Sequence, residues 1–300
     1  MHQATIQSNN INIHPSVKFG KNVNIKCDSI ELGEFCIIGD NVTIECNSFE
    51  ADSWLFMHHG VEVGRGGCNS PHSNVKIGKG VGIFENTILN PSEPIEIGDN
   101  CGIGAEVMIW THGAWLDITQ GFPSDFGPVK IGNNVWLPAR SIVLPNVTIG
   151  NDVVIGINSI INRSLPSGCL AAGSPCKVIK ENVYPKKLSD EEIKIMIEGI
   201  LSDWKVLCDH KGITRTINTE YKNGKIFLYQ SNFETIYNIE ERTILHKLLQ
   251  IRDYSFDKPL EMSEIDATRV AAEFKIGTDK IPQYIQGPGQ SITIDNKYKF

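Results

Sequence analysis

Ile131-Gly132-Asn133-Asn134-Val135-Trp136-Leu137-Pro138-Ala139-Arg140-Ser141-Ile142-Val143 carries the pattern that decides the fold. Ile131, Leu137 and Val143 stand six residues apart, and Ile149, Ile155 and Ile161 continue the step. Four residues after each comes a second small or aliphatic side chain: Val135, Ser141, Val147, Val153, Ser159. A period of six fits neither an amphipathic helix, at 3.6, nor a simple alternating strand. It fits a chain that turns a corner every six residues, so that three sides close one coil and coils stack as parallel strands. Gly, Asn and Asp beside the aliphatic positions, as in Gly98-Asp99-Asn100 and Gly150-Asn151-Asp152, suit corners where φ is positive.

The same step runs upstream through Ile97, Ile103 and Ile109, through Ile77, Ile83 and Leu89, and through Leu32, Ile38 and Ile44. Between these blocks the phase slips by a residue or two. The large break is Ile109 to Ile131, where twenty-two residues stand in place of six. A solenoid of this kind is stable only coil against coil. Residues 14–162 give roughly seven coils at about eighteen residues each.

Composition divides the chain. Residues 1–185 hold 21 of the 27 glycines, whereas 17 of the 28 Lys and Arg lie in the shorter remainder, 186–300. That remainder reads as a small α+β module: a capping box at Ser189-Asp190-Glu191-Glu192 opening a helix over 189–209, a hairpin of 214–219 with 225–230, a helix over 240–252, and further elements at 267–274 and 291–294.

The net charge of −7, spread along the chain, offers no basic face for nucleic acid. No apolar run reaches bilayer length, and Met1 to Asn12 lacks the build of a signal peptide. The eight cysteines form no CxxC pair and read as reduced thiols of a cytoplasmic protein. Cys36 and Cys101 occupy the inward slot of the repeat and read as core filling.

A loop projecting from a regular scaffold is where function concentrates. The inserted loop, 110–130, begins Trp110-Thr111-His112-Gly113 and ends Phe126-Gly127-Pro128-Val129-Lys130. Together with Ile131-Gly132-Asn133-Asn134-Val135-Trp136-Leu137, Leu144-Pro145-Asn146-Val147-Thr148-Ile149-Gly150 and Ala171-Ala172-Gly173-Ser174-Pro175-Cys176-Lys177-Val178-Ile179, it resembles the hexapeptide-repeat acyltransferases. The resemblance is to the galactoside/maltose O-acetyltransferase type and its polysaccharide-modifying relatives. It is dense over 77–181 and does not reach 186–300.

The resemblance implies a left-handed parallel β-helix over 1–185, a homotrimer with active sites shared between subunits, and acetyl-CoA as acyl donor. It places the catalytic histidine at His112, which agrees with the chemistry: a hydroxyl attacks a thioester only when a base takes its proton. It places cofactor contacts at Trp136, Ala139, Ile157, Arg163, Lys177 and Lys180, and an acceptor contact at Asn86, a position that suits a plain corner residue equally well. Trp115, Phe122 and Phe126 in the loop suit either stacking on a sugar ring or packing of the loop itself. Gly113, where the family often has proline, and Pro138 and Ile157, where it has small residues, depart from the pattern.

The expected reaction is acetyl transfer to a sugar hydroxyl, plausibly in surface polysaccharide. The alternatives are N-acetylation of a nucleotide-linked amino sugar and a non-catalytic β-helix scaffold. His58, His59 and His72 with His112 raise a zinc hydratase on the same fold. That family's site takes three converging imidazoles, two of them only a few residues apart, and residue 117, downstream of His112, is Asp, so no metal is expected.

Overall fold

The computed structural model describes residues 4–64, 66, 68, 70–189, 191, 192, 195, 218–222, 225–230, 233–238 and 243–248. The chain separates into two compact units, Met1–Lys186 and Lys187–Phe300.

The first unit is a parallel β-solenoid. Three sheets run along it, of eight, seven and nine strands, and each coil gives one short strand to each sheet in turn. We number the sheets by their first strands: Thr5–Gln7 opens sheet one, Asn10–Ile13 sheet two and Lys18–Phe19 sheet three. Seven complete coils run from Thr5 to Ile155. An eighth is formed by Ile160–Ile161, a single bridge from Leu165 to Ile149, and Leu170–Ala172. The solenoid therefore starts earlier than the hexads at 14, because Ala4, Ile6 and Ile13 already pack against the core.

The six-residue step becomes vertical stacking. In sheet one Val63 pairs with Leu89, Leu89 with Ile109, Ile109 with Val143 and Val143 with Ile161. Ile77, Ile97, Ile131 and Ile149 stack in the same way in sheet two. All nine are 0–3% exposed. Burying one such side chain is worth about 1.5–3 kcal/mol, and the column makes each coil's burial depend on its neighbours.

The corners explain the Gly-Asx pairs. At Gly98 a Cβ would collide with the Asn133 side chain of the next coil. That side chain occupies the space because its Oδ1 accepts the Asp99 N–H (2.8 Å). Asn151 does the same for the Asn133 N–H, and Asp99 for the Lys79 N–H, each at 2.8 Å. The next residue, Asn100 or Asn134, turns the corner at φ 55° or 56°, which asparagine tolerates. Four corner residues less suited to positive φ are paired across coils: Phe35 stacks on Trp54 at 4.7 Å, and Arg140 Nε donates to Glu106 Oε2 at 2.7 Å.

Cys36 and Cys101 are buried in the core as their phase predicts. Burial pushes both thiols up to about 11, so they are inert fillers near neutral pH. The seven described cysteines are buried. Among the described residues no helix is long and apolar enough to cross a membrane.

The second unit contains a four-stranded antiparallel sheet: Asn218–Lys222, Lys225–Gln230, Phe233–Asn238 and Thr243–Leu248. The predicted hairpin is present with its first strand displaced to Asn218–Lys222. The helix expected over 240–252 is corrected: Thr243–Leu248 is a strand pairing with Phe233–Asn238. Leu245 and Leu248 have helical spacing, but Thr243-Ile244 is β-branched and a neighbouring strand completes the ladder, so pairing overrides the periodicity. The capping box forms as read: Glu192 N donates to Ser189 Oγ (3.3 Å) and Ser189 N to Glu192 Oε2 (2.8 Å). Beyond Glu191, Glu192 and Ile195, the helix expected over 189–209 lies outside the described residues, as do 267–274 and 291–294.

Candidate active site

The inserted loop leaves the edge where sheet one turns into sheet two. Met108–Trp110 ends in buried Thr111, whose Oγ1 donates to Asn90 O (2.7 Å) and accepts the Glu93 N–H (2.9 Å). This pins the coil carrying the loop to the coil before it. Gly127 N closes the base of the loop on Thr111 O (3.0 Å). The loop is a hairpin: His112–Ala114 pairs antiparallel with Ser124–Phe126, placing His112 opposite Phe126. A turn at Ile118–Gln120 caps it, with Asp117 accepting the Thr119 N–H (2.9 Å) and hydroxyl (2.7 Å). The Thr119 hydroxyl, followed by its backbone N–H, holds the Asp117 carboxyl below its ordinary value, which makes it a poor base.

His112 is fixed on three sides. Its ring stacks on Phe126 (centroids 5.6 Å apart, 23° between planes) and meets Trp110 edge-on at 6.0 Å. Its Nδ1 lies 2.7 Å from Asn90 Oδ1 and 2.9 Å from Ser92 Oγ. The Asn90 amide cannot be turned round, because its Nδ2 donates to Gly64 O at 2.8 Å. Asn90 therefore presents an acceptor, and the hydrogen of the neutral imidazole belongs on Nδ1. Nε2 is left as the basic nitrogen. Asn90 is fully buried, so the amide sits in surroundings where this bond is strong.

Asn90 and Ser92 were not identified from the sequence. The available signal is the phase slip there: Leu89 to Ile97 is eight residues rather than six, and Asn90 stands where the strand leaves its repeat. Gly64, at the same edge one coil earlier, supplies the carbonyl that orients Asn90.

The predicted site residues fall into two groups. His112, Trp115 and Arg163 lie on the edge from sheet one to sheet two. Trp115 is 95% exposed at the loop tip, in company with exposed Leu116, Ile118 and Phe122. Asn86, Ala139 and Ile157 lie on the edge from sheet three to sheet one, at equivalent corners of their coils. Asn86 is exposed with φ 54°, and Ile157 is 69% exposed. Trp136 faces out from sheet three over Gly102, and Lys177–Lys180 adds an antiparallel ninth strand to that sheet with both lysines exposed. One side of the prism separates the groups. Asn86 to Asn90 spans that side, about 13 Å at 3.3 Å per residue.

Residues 128–163 match the family "Bacterial transferase hexapeptide (six repeats)" and carry its repeat. Galactoside O-acetyltransferase of Escherichia coli (strain K12) is 34% identical over 111 residues, 36% of this chain and 55% of the relative. A putative acetyltransferase of Staphylococcus aureus (strain COL) is 39% identical over 127 residues, 40% of this chain and 63% of the relative. A solved galactoside acetyltransferase in complex with coenzyme A is 33% identical, with 36% of this chain and 55% of that one covered at a TM-score of 0.34. The chain thus spans between half and two thirds of the length of these relatives.

Proposed function

We propose that the first unit is an acetyl-CoA-dependent acetyltransferase acting on a sugar hydroxyl, such as that of a surface polysaccharide, with His112 as general base. The observation that carries this reading is the hydrogen-bonded chain from Gly64 through Asn90 to His112. Asn90, locked by Gly64, accepts from Nδ1 and leaves the Nε2 lone pair for an incoming proton. Acetyl transfer is what the matched relatives are named for.

In this reaction Nε2 takes the acceptor hydroxyl's proton as the oxygen attacks the thioester carbonyl. The tetrahedral intermediate collapses with cleavage of the carbon–sulfur bond. The imidazolium returns its proton to the leaving thiolate. The products are the acetyl ester and the free thiol of coenzyme A. The attack is direct, so none of the buried cysteines is required.

The exposed lysines Lys177 and Lys180 would hold coenzyme A phosphates, and Arg163 another. Trp136, Ala139 and Ile157 would line the path of the pantetheine arm. Asn86 and Trp115 would contact the acceptor. Within one chain His112 and the Asn86–Ala139–Ile157 edge stand a prism side apart. A homotrimer of left-handed coils, with one subunit's His112 edge against the next subunit's other edge, would join them.

The test is thiol release from acetyl-CoA by the full chain, measured with a panel of sugars and glycans. At least one hydroxyl acceptor should raise release well above the acceptor-free rate. Bound acetyl-CoA with no acceptor-dependent release across the panel would contradict the reading.

A further inference from the structure

A second group of reactive side chains lies away from His112. His58 and His59 form the corner after Phe56–Met57, on the edge from sheet three to sheet one, and Glu85 is at the equivalent corner of the next coil. Among the described residues these three alone bring histidine, cysteine or carboxylate ligand atoms together, all within 4.8 Å of one another. His58 Nδ1 is 2.9 Å from His59 Nδ1 and 3.3 Å from Glu85 Oε1.

Neutral imidazole hydrogens do not fill this space well. His58 Nδ1 has two neighbours at or near hydrogen-bond distance and at most one hydrogen to give. The two nitrogens and the carboxylate oxygen lie within 4.8 Å of one another. Two nitrogens bound to one ion at 2.0–2.1 Å stand about 2.9–3.4 Å apart for ligand angles from 90° to tetrahedral. The observed 2.9 Å falls at the short end of that range. The His58 ring is already held in place, edge-on to Phe56 at 5.5 Å and parallel to Phe84 at 6.4 Å. His59 is exposed, and His58 and Glu85 are half-buried, so an ion can enter and water can complete its coordination.

We propose that His58 Nδ1, His59 Nδ1 and Glu85 bind one divalent transition-metal ion of the zinc, cobalt or nickel type, bridging two successive coils. Two imidazoles with one carboxylate suit these ions, whereas calcium and magnesium prefer all-oxygen sets. The ion clamps the corner that Glu85 shares with Asn86. Neither His112 nor Asn86 is a ligand, so the site stands or falls separately from acetyl transfer.

The experiment titrates Co²⁺ and Zn²⁺ into the tag-free full chain after treatment with chelator. Cobalt absorption and the thermal midpoint are followed. Wild type should bind one equivalent, show ligand-field bands without the near-ultraviolet thiolate band, and gain thermal stability. His59→Gln and Glu85→Gln, both changes at accessible side chains, should keep the metal-free midpoint and weaken binding by at least about tenfold, since loss of a ligand costs no less than loss of its outer partner. His112→Ala should bind as wild type does. Absence of stoichiometric binding, a thiolate band, or unchanged affinity in both ligand variants would overturn the site.

Discussion

His112 is oriented through Nδ1, which leaves Nε2 for the proton transfer of the proposed reaction. Its Nδ1 is committed to Asn90, and Asn90 to Gly64, so a chain of two hydrogen bonds, 2.7 and 2.8 Å long, sets which nitrogen is basic. Asn90→Ala removes that instruction while leaving the Phe126 and Trp110 contacts. Turnover should fall by about 10–100-fold as the imidazole samples the wrong tautomer, with the KM for acetyl-CoA unchanged. The same change strands Gly64 O and should cost about 1–3 kcal/mol in stability. Parallel losses of donor binding and turnover would make Asn90 merely structural. The histidine itself was legible because it stands at the break of a strict period and within a recognisable motif. Asn90 was not. Its contacts cross from one coil to the next, and only folding brings residues 64, 90 and 112 together.

The corners and the loop respond differently to the same substitution. Gly98→Ala drives a Cβ into Asn133 Oδ1 and the Gly132 backbone, both part of the corner ladder. It should cost about 1–3 kcal/mol, read as a lowered thermal midpoint. Gly113→Ala meets nothing within 4 Å and should leave stability within about 0.5 kcal/mol of wild type, with the thermal midpoint nearly unmoved. Equal effects at the two positions would remove the distinction between scaffold and appended hairpin. The stacked aliphatics were readable because every side of the prism repeats one environment, so a single period reports the whole solenoid. The strand Thr243–Leu248 was misread because its partners, not its own spacing, decide its state. In the solenoid the pattern and the partner coincide, and in the small sheet they do not.

At the scale of the molecule, the proposed site draws on two edges of the prism that one chain holds about a side apart. If neighbouring subunits complete each other's sites, His112→Ala and Asn86→Ala chains, each weak alone, should recover activity when unfolded and refolded together. In randomly mixed trimers about one quarter of the sites would pair a wild-type His112 edge with a wild-type Asn86 edge. Activity no greater than the average of the two parents would place each site within one chain. The central claim concerns the base, and it is tested most directly by turnover of His112→Ala on an acceptor that the wild type acetylates, with acetyl-CoA affinity measured on the same sample. The prediction is a fall of about 10²–10⁴ in turnover, with donor affinity and thermal midpoint unchanged. A His112→Ala protein that keeps most of its turnover would contradict it.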